Sequence, residues 1–213
     1  MHIKLLILTI LMFNGCFDTL NKEQKVERKL LVGDANESYH KKADNYYKEA
    51  NYKEALKYEL KQLEEDLKYY RDISAEIAVD NNNIGLNYYK LKEYNQSILY
   101  YKKAIKIDNI VLDLDNYERG VTYYNIASAY NKIKEYDKAL NYYLKSLKIK
   151  PRLEDKLVTY QDVAKIYNRK KEYNKALLYY KNAFIIYKKV KQQDRAVGVN
   201  ILENIQQLEK EKR

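Results

Sequence analysis

Small and aromatic residues recur along this chain with helical spacing, separated by runs of charged residues. The clearest copy of the pattern reads Gly85–Tyr88–Tyr94–Ser97–Tyr101–Ala104. Small side chains suit the points where one helix must approach another closely, and large aromatic side chains fill the space beside them. The pattern therefore predicts pairs of short helices that pack as hairpins.

The same frame fits three further stretches of the sequence. These are Ala43–Tyr46–Tyr52–Ala55, Ala127–Tyr130–Tyr136–Ala139–Tyr143–Ser146 and Ala164–Tyr167–Tyr173–Ala176–Tyr180–Ala183. The matching tyrosines Tyr46, Tyr88, Tyr130 and Tyr167 are 42, 42 and 37 residues apart. Internal similarity at such a period indicates a repeat scaffold, in which each unit packs on its neighbours.

These residues resemble the tetratricopeptide repeat (TPR) family, and Pro151 falls where that family often ends a repeat. The resemblance implies an all-α fold, a right-handed α-solenoid of about four helix hairpins with a C-terminal capping helix. Two features depart from the family pattern. Ala50, Lys92, Lys134 and Lys171 stand where the interhelix turn often has glycine, and Lys42 and Glu59 stand at positions that are usually apolar or aromatic. The periods exceed the family's usual length of about 34 residues, so we expect an extra turn on each helix of the first two copies.

We expect helices near 36–49, 53–71, 74–91, 95–107, 116–133, 137–149, 152–169, 173–190 and 193–211. The tyrosine period divides the array into repeats at about 36–77, 78–119, 120–156 and 157–190, followed by a capping helix at 191–213. One apolar stripe and a polar outer face are what a terminal cap requires. A generic amphipathic helical bundle with a tyrosine-rich composition is the alternative interpretation.

The N-terminus has the outline of a signal peptide. A short basic start is followed by an apolar run from Leu5 to Phe13, which is too short to span a bilayer. Cys16, the only cysteine, follows Gly15 and resembles the lipidated cysteine of bacterial lipoproteins. We therefore expect a signal peptide at 1–15 and a diacylated Cys16 with a polar tether at 16–35. Two acyl chains give stable membrane anchoring, so the sequence predicts an exported protein on a membrane of the bacterial envelope. An ordinary secretory peptide or an uncleaved anchor are the alternatives.

The formal net charge is +10. Lysines alternate with Glu and Asp in every predicted helix, so most of this charge indicates a solvated surface rather than a nucleic-acid groove. The sequence contains no nucleic-acid-binding motif, and we expect no nucleic-acid partner.

The sequence offers few residues that could form a catalytic or metal site. The chain has two histidines, of which His2 lies in the predicted signal peptide, and one cysteine at the predicted lipid site. No His/Cys metal set or Cys-His dyad can be built from these residues. We therefore expect no enzyme activity, no cofactor and no metal.

The family resemblance places the first helix of each hairpin on a concave groove. It aligns a basic column in that groove, together with asparagine and tyrosine positions suited to the backbone of an extended peptide. The implied groove residues are Lys48, Lys90, Lys132, Arg169, Asn83, Asn125, Tyr89 and Asn131. The expected partner is another protein, bound through an extended or acidic segment. The remaining alternatives are a surface lipoprotein that binds host or extracellular ligands, and a basic adaptor for an anionic polymer or lipid.

Overall fold

The computed structural model describes residues 37–70, 72–113, 116–149, 151–190 and 194–211. These ranges form helices and no strand, which confirms the predicted all-α fold. The helices are α1 (Glu37–Lys48), α2 (Tyr52–Tyr69), α3 (Ala75–Lys90), α4 (Tyr94–Val111), α5 (Tyr117–Lys132), α6 (Tyr136–Lys148), α7 (Leu153–Arg169), α8 (Tyr173–Tyr187) and α9 (Arg195–Glu211). Three-residue turns join α1 to α2, α3 to α4, α5 to α6 and α7 to α8 as hairpins, and α9 packs on α8 as the predicted cap.

The predicted signal peptide, Cys16 and tether lie outside the described residues. Among the helices that are described, none has both the length and the apolar character needed to cross a bilayer.

The additional residues of the early repeats lie in the second helix of each hairpin. Helices α2 and α4 have 18 residues, whereas α6 has 13. The first helices α3, α5 and α7 are nearly equal, with 16, 16 and 17 residues. The expectation of an extra turn on both helices was therefore wrong for the first helix of the second hairpin.

The hairpins begin a few residues before the repeat boundaries drawn from the tyrosine period. Those boundaries, at 77/78, 119/120 and 156/157, fall within the first turn of α3, α5 and α7. The tyrosines mark where the helices pack, whereas the ends of the helices depend on local turn and capping residues.

The four interhelix turns adopt one conformation without glycine. Ala50, Lys92, Lys134 and Lys171 have φ values of 58°, 65°, 64° and 59°, in the left-handed region. In the second turn the amide of Lys92 donates to Tyr89 O and that of Glu93 to Tyr88 O, and equivalent pairs recur in the other three. This is the Schellman arrangement, which satisfies the last carbonyls of the first helix.

The hairpin interiors pair small residues with tyrosines as predicted. Tyr101, Tyr143 and Tyr180 of the second helices are almost fully buried. A second set of tyrosines stacks across each hairpin with ring centroids 5.4–5.8 Å apart. The stacked pairs are Tyr46–Tyr58, Tyr88–Tyr100, Tyr130–Tyr142 and Tyr167–Tyr179. Offset aromatic pairs at this distance add stability beyond their buried area.

Candidate functional site

The first helices α1, α3, α5 and α7 form a common surface, which we call the groove. Hydrogen bonds between them show that successive first helices lie side by side. Asn125 of α5 donates to Oδ1 of Asn82 on α3 over 3.3 Å, and the Tyr124 hydroxyl of α5 donates to Asp162 of α7 over 2.9 Å. Residues eleven positions apart on such a helix share one face, since this spacing is close to three turns.

A basic row runs along one side of the groove. Lys48, Lys90, Lys132 and Arg169 are all exposed, and each is the last residue of its helix. A cation at this position also interacts favourably with the helix dipole. The row therefore has a structural role in addition to any role in binding.

Two members of the basic row contact the preceding repeat. The ammonium of Lys90 lies 5.6 Å from the ring centroid of Tyr47 and 5.9 Å from that of Tyr52. Arg169 donates to Oδ1 of Asn131 over 3.2 Å. These contacts hold the cations at the groove surface while leaving them exposed.

The predicted polar positions are half-buried and partly engaged within the array. Asn125 donates to Asn82, and Asn131 accepts from Arg169. Tyr89 packs edge-on against Tyr94 with centroids 5.5 Å apart, and burial raises its pKa. Asn83 is also half-buried. Several of these side chains therefore stabilise contacts between or within repeats as well as lining the surface.

An apolar row that was not predicted lies on the same face. Val79, Val121 and Val158 occupy equivalent positions near the start of α3, α5 and α7, eleven residues before the basic row. Val79 is 52% exposed and Val158 46% exposed. The signal was available in the sequence, because the three valines follow the repeat spacings of 42 and 37 residues.

A cleft of about 280 Å³ opens beside this valine row between α5 and α7. Val121, Val158, Ile149 and Pro151 give it apolar walls, and Tyr124 adds a hydroxyl. Burial, followed by the nearby Asp162 carboxylate, raises the pKa of Tyr124, so the phenol stays neutral. The cleft can hold an apolar side chain of a bound segment.

A charged cluster lies at the N-terminal end of the groove, where α1, α2 and α3 meet. Nδ1 of His40 is 3.4 Å from Oε2 of Glu59, and Nε2 is 3.4 Å from Oδ1 of Asp80. Pairing with Asp80, and then with Glu59, raises the pKa of His40 to about 10. Glu59 departs from the repeat pattern in the sequence, but its contact with His40 was not predicted, because the two residues belong to different helices.

Comparisons with known proteins agree with this architecture. The tetratricopeptide repeat family model matches residues 76–152 and 118–189, which together span more than half of the chain. No curated protein matches the sequence.

Solved structures show the same fold at low identity. The TPR-like repeats of a putative kinesin light chain from Podosopora anserina are 14% identical, with a TM-score of 0.69 over 82% of this chain and 85% of that chain. BtubC (BKLC) from P. vanneervenii is 17% identical, with a TM-score of 0.72 over 91% and 81%. MamA is 21% identical, with a TM-score of 0.57 over 84% and 92%. With its four hairpins, its recurring turn and this family match, the chain belongs to the tetratricopeptide repeat family.

Proposed function

We propose that this protein is a membrane-anchored scaffold whose groove binds an extended segment of another protein. TPR proteins are generally non-enzymatic scaffolds for protein–protein interactions, and this chain shares their fold. One observation carries the proposal. The face of each first helix from α3 to α7 presents a valine near its start and an exposed cation at its end.

The spacing of the two rows defines the chemistry of the bound segment. Eleven residues of helix separate Val121 from Lys132, which is about 16 Å at 1.5 Å per residue. An extended chain advances about 3.3 Å per residue. A segment with an apolar side chain in the cleft and an acidic residue about five positions away would therefore contact both rows.

Anchoring the protein to a membrane would allow a groove of modest affinity to hold its partner. A lipidated Cys16 confines the groove to a membrane surface, where a partner in the same envelope is present at high effective concentration. This part of the proposal rests on the N-terminal sequence alone.

The groove is tested by crosslinking in native membranes followed by affinity purification and mass spectrometry. We expect a partner that is captured by the wild type and lost with the triple variant Lys90→Glu, Lys132→Glu, Arg169→Glu. The matched control is Lys106→Glu, Lys148→Glu, Lys189→Glu, which makes the same charge change on the second helices or within two residues of their ends and should retain the partner. If both variants captured the partner equally, the partner would bind outside the groove. A partner released equally by both variants and by moderate salt would indicate a general polyanion adaptor.

Anchoring is tested with Cys16→Ser. The wild type should incorporate labelled palmitate and remain with membranes, whereas the variant should incorporate none. If both label equally, the lipoprotein assignment is wrong. Proteinase treatment of intact cells then separates an envelope-internal scaffold from a surface lipoprotein that meets extracellular ligands.

A further inference from the structure

His40, Glu59 and Asp80 are ionisable residues at positions where the other repeats have uncharged residues. Glu59 occupies the position of Tyr101, Tyr143 and Tyr180, the buried tyrosines of the later hairpins. Asp80 occupies the position of Thr122 and Thr159. Two carboxylates have therefore replaced uncharged core residues at a single junction between repeats.

Both carboxylates are buried and poorly satisfied. Glu59 is 3% exposed and Asp80 is 1% exposed. Oε2 of Glu59 and Oδ1 of Asp80 each lie 3.4 Å from a ring nitrogen of His40 but accept no hydrogen bond from the described residues, and Oδ2 of Asp80 has neither a hydrogen bond nor an ion pair there. Burying carboxylate oxygens that accept no hydrogen bond is costly, so this arrangement points to a ligand that satisfies them.

The distances suit a metal ion better than a hydrogen bond. Nε2 of His40 and Oδ1 of Asp80 are 3.4 Å apart, beyond the usual N–H···O range of about 2.7–3.2 Å. A tetrahedral metal ion with bonds of about 2.0–2.1 Å holds its ligand atoms about 3.4 Å apart. One ligand atom from each of the three residues lies within 4.8 Å of the other two. Because Glu59 faces Nδ1 of His40 and Asp80 faces Nε2, the bound ion requires one of the two carboxylates to turn toward the ring nitrogen that ligates it.

Charge balance also favours a divalent ion. An imidazolium compensates only one of the two carboxylates, whereas a divalent cation that displaces the imidazolium proton to solvent and binds neutral His40 compensates both. A nitrogen ligand beside two carboxylates selects a first-row transition metal over Ca²⁺ or Mg²⁺, which prefer oxygen ligands throughout. The His40 side chain is 40% exposed, which provides a path for entry from solvent.

We propose that His40, Glu59 and Asp80 form a divalent transition-metal site, with Zn²⁺ as the best-fitting ion, that joins the first two hairpins. Water fills the fourth coordination position at the exposed edge of the imidazole. The site draws one ligand from each of α1, α2 and α3, so the bound ion holds these helices together. This inference does not depend on peptide binding in the groove.

The test is calorimetric titration of Zn²⁺ into the full-length chain after removal of metals with a chelator. The Cys16→Ser background removes the only thiol. The other repeats supply the variants Asp80→Thr and His40→Asn. Threonine stands at the position of Asp80 in the third and fourth hairpins, and asparagine stands at the position of His40 in the second, as Asn82. Circular dichroism checks that each variant keeps its helical content.

We expect one Zn²⁺ per wild-type chain, an upward shift in Tm with added Zn²⁺, and affinity reduced about 100-fold or more in each variant. Co²⁺ should give the intense visible absorption of a tetrahedral site in the wild type only. Two results would overturn the proposal: no stoichiometric binding to the wild type, or equal binding to folded wild type and folded variants.

Discussion

The ring of Tyr101 lies against Gly85 so closely that a Cβ atom on Gly85 would be 2.7 Å from Cδ1 of the tyrosine. In the next two hairpins, alanine stands at the equivalent position, as Ala127 and Ala164, and packs with Tyr143 and Tyr180. Helices α3 and α4 therefore approach more closely at this point than a methyl group allows. The glycine is needed for packing and not for backbone conformation.

We expect Gly85→Ala to lower the free energy of unfolding by about 1–3 kcal/mol, because the buried ring cannot move away without disturbing its neighbours. Chemical denaturation measures the change. Gly120→Ala is the matched control, since its Cβ would lie 3.4 Å from Ile149, at ordinary contact distance. That variant should be neutral or more stable by up to about 1 kcal/mol from helix propensity. Equal effects of the two variants would contradict the close approach.

Lys134 adopts a left-handed conformation that glycine tolerates better. The left-handed conformation destabilises an L-residue by about 1–2 kcal/mol. Glycine avoids this strain, but its greater conformational freedom in the unfolded chain offsets part of the stabilisation. Lys134→Gly should therefore raise the free energy of unfolding by up to about 1 kcal/mol in thermal or chemical denaturation. Lys106→Gly, in the interior of α4, should instead lower it by about 1 kcal/mol. A loss of stability in both would show that the turn side chain makes a needed contact.

Asp108 makes the stability of the junction between α4 and α5 depend on pH. Its carboxylate accepts from Oγ1 of Thr122 at 3.0 Å, and α5 also brings Glu118 and Arg119 near it. Burial is the main cause that raises the pKa of Asp108. A raised folded-state pKa means that the folded protein holds the proton more tightly than the unfolded chain. The stabilising contribution of the Asp108 proton is fully present below the unfolded pKa of about 3.9. It is lost as pH rises through the pKa of Asp108 in the folded protein.

Asp108→Asn should remove the loss of stability with rising pH, because the amide carries no charge. Its Oδ1 can still accept the hydrogen bond from Thr122. We expect the variant to gain stability relative to the wild type between about pH 4 and neutrality, measured as the difference in free energy of unfolding at each pH. A difference that is constant across this range would show that Asp108 does not titrate differently in the folded state.

Ala139 and Ala176 are fully buried where the second helices α6 and α8 enter their hairpins. Replacing either with leucine should lower the free energy of unfolding by about 1–3 kcal/mol through overpacking. Asn141→Leu introduces the same leucine side chain at an exposed position of α6 and should change stability by less than about 0.5 kcal/mol. If the alanine variants behaved like Asn141→Leu in denaturation experiments, the assignment of the hairpin cores would be wrong.

The groove could be predicted only in part. The repeat frame aligns its four cations in one column, and all four are exposed in the structure, while their part in binding stays a prediction. The contact of Lys90 with Tyr47 and the hydrogen bond from Arg169 to Asn131 were not predicted, because they depend on how neighbouring repeats are offset. The valine row follows the repeat spacing in the sequence, but that spacing alone does not show that Val79 and Val158 are exposed, because their exposure depends on how the helices pack.

Sequence alone determined the repeat, the helix pairs and the cap. Spacings such as Gly85 to Tyr88 and Tyr101 to Ala104 act within one helix turn, so local geometry dictates which residues share a face. Tertiary structure decided the rest. His40, Glu59 and Asp80 come from three helices, and Asp108 meets Thr122 across two. Whether such residues meet depends on the angle and separation at which helices pack, which are properties of the assembled array and not of any one segment.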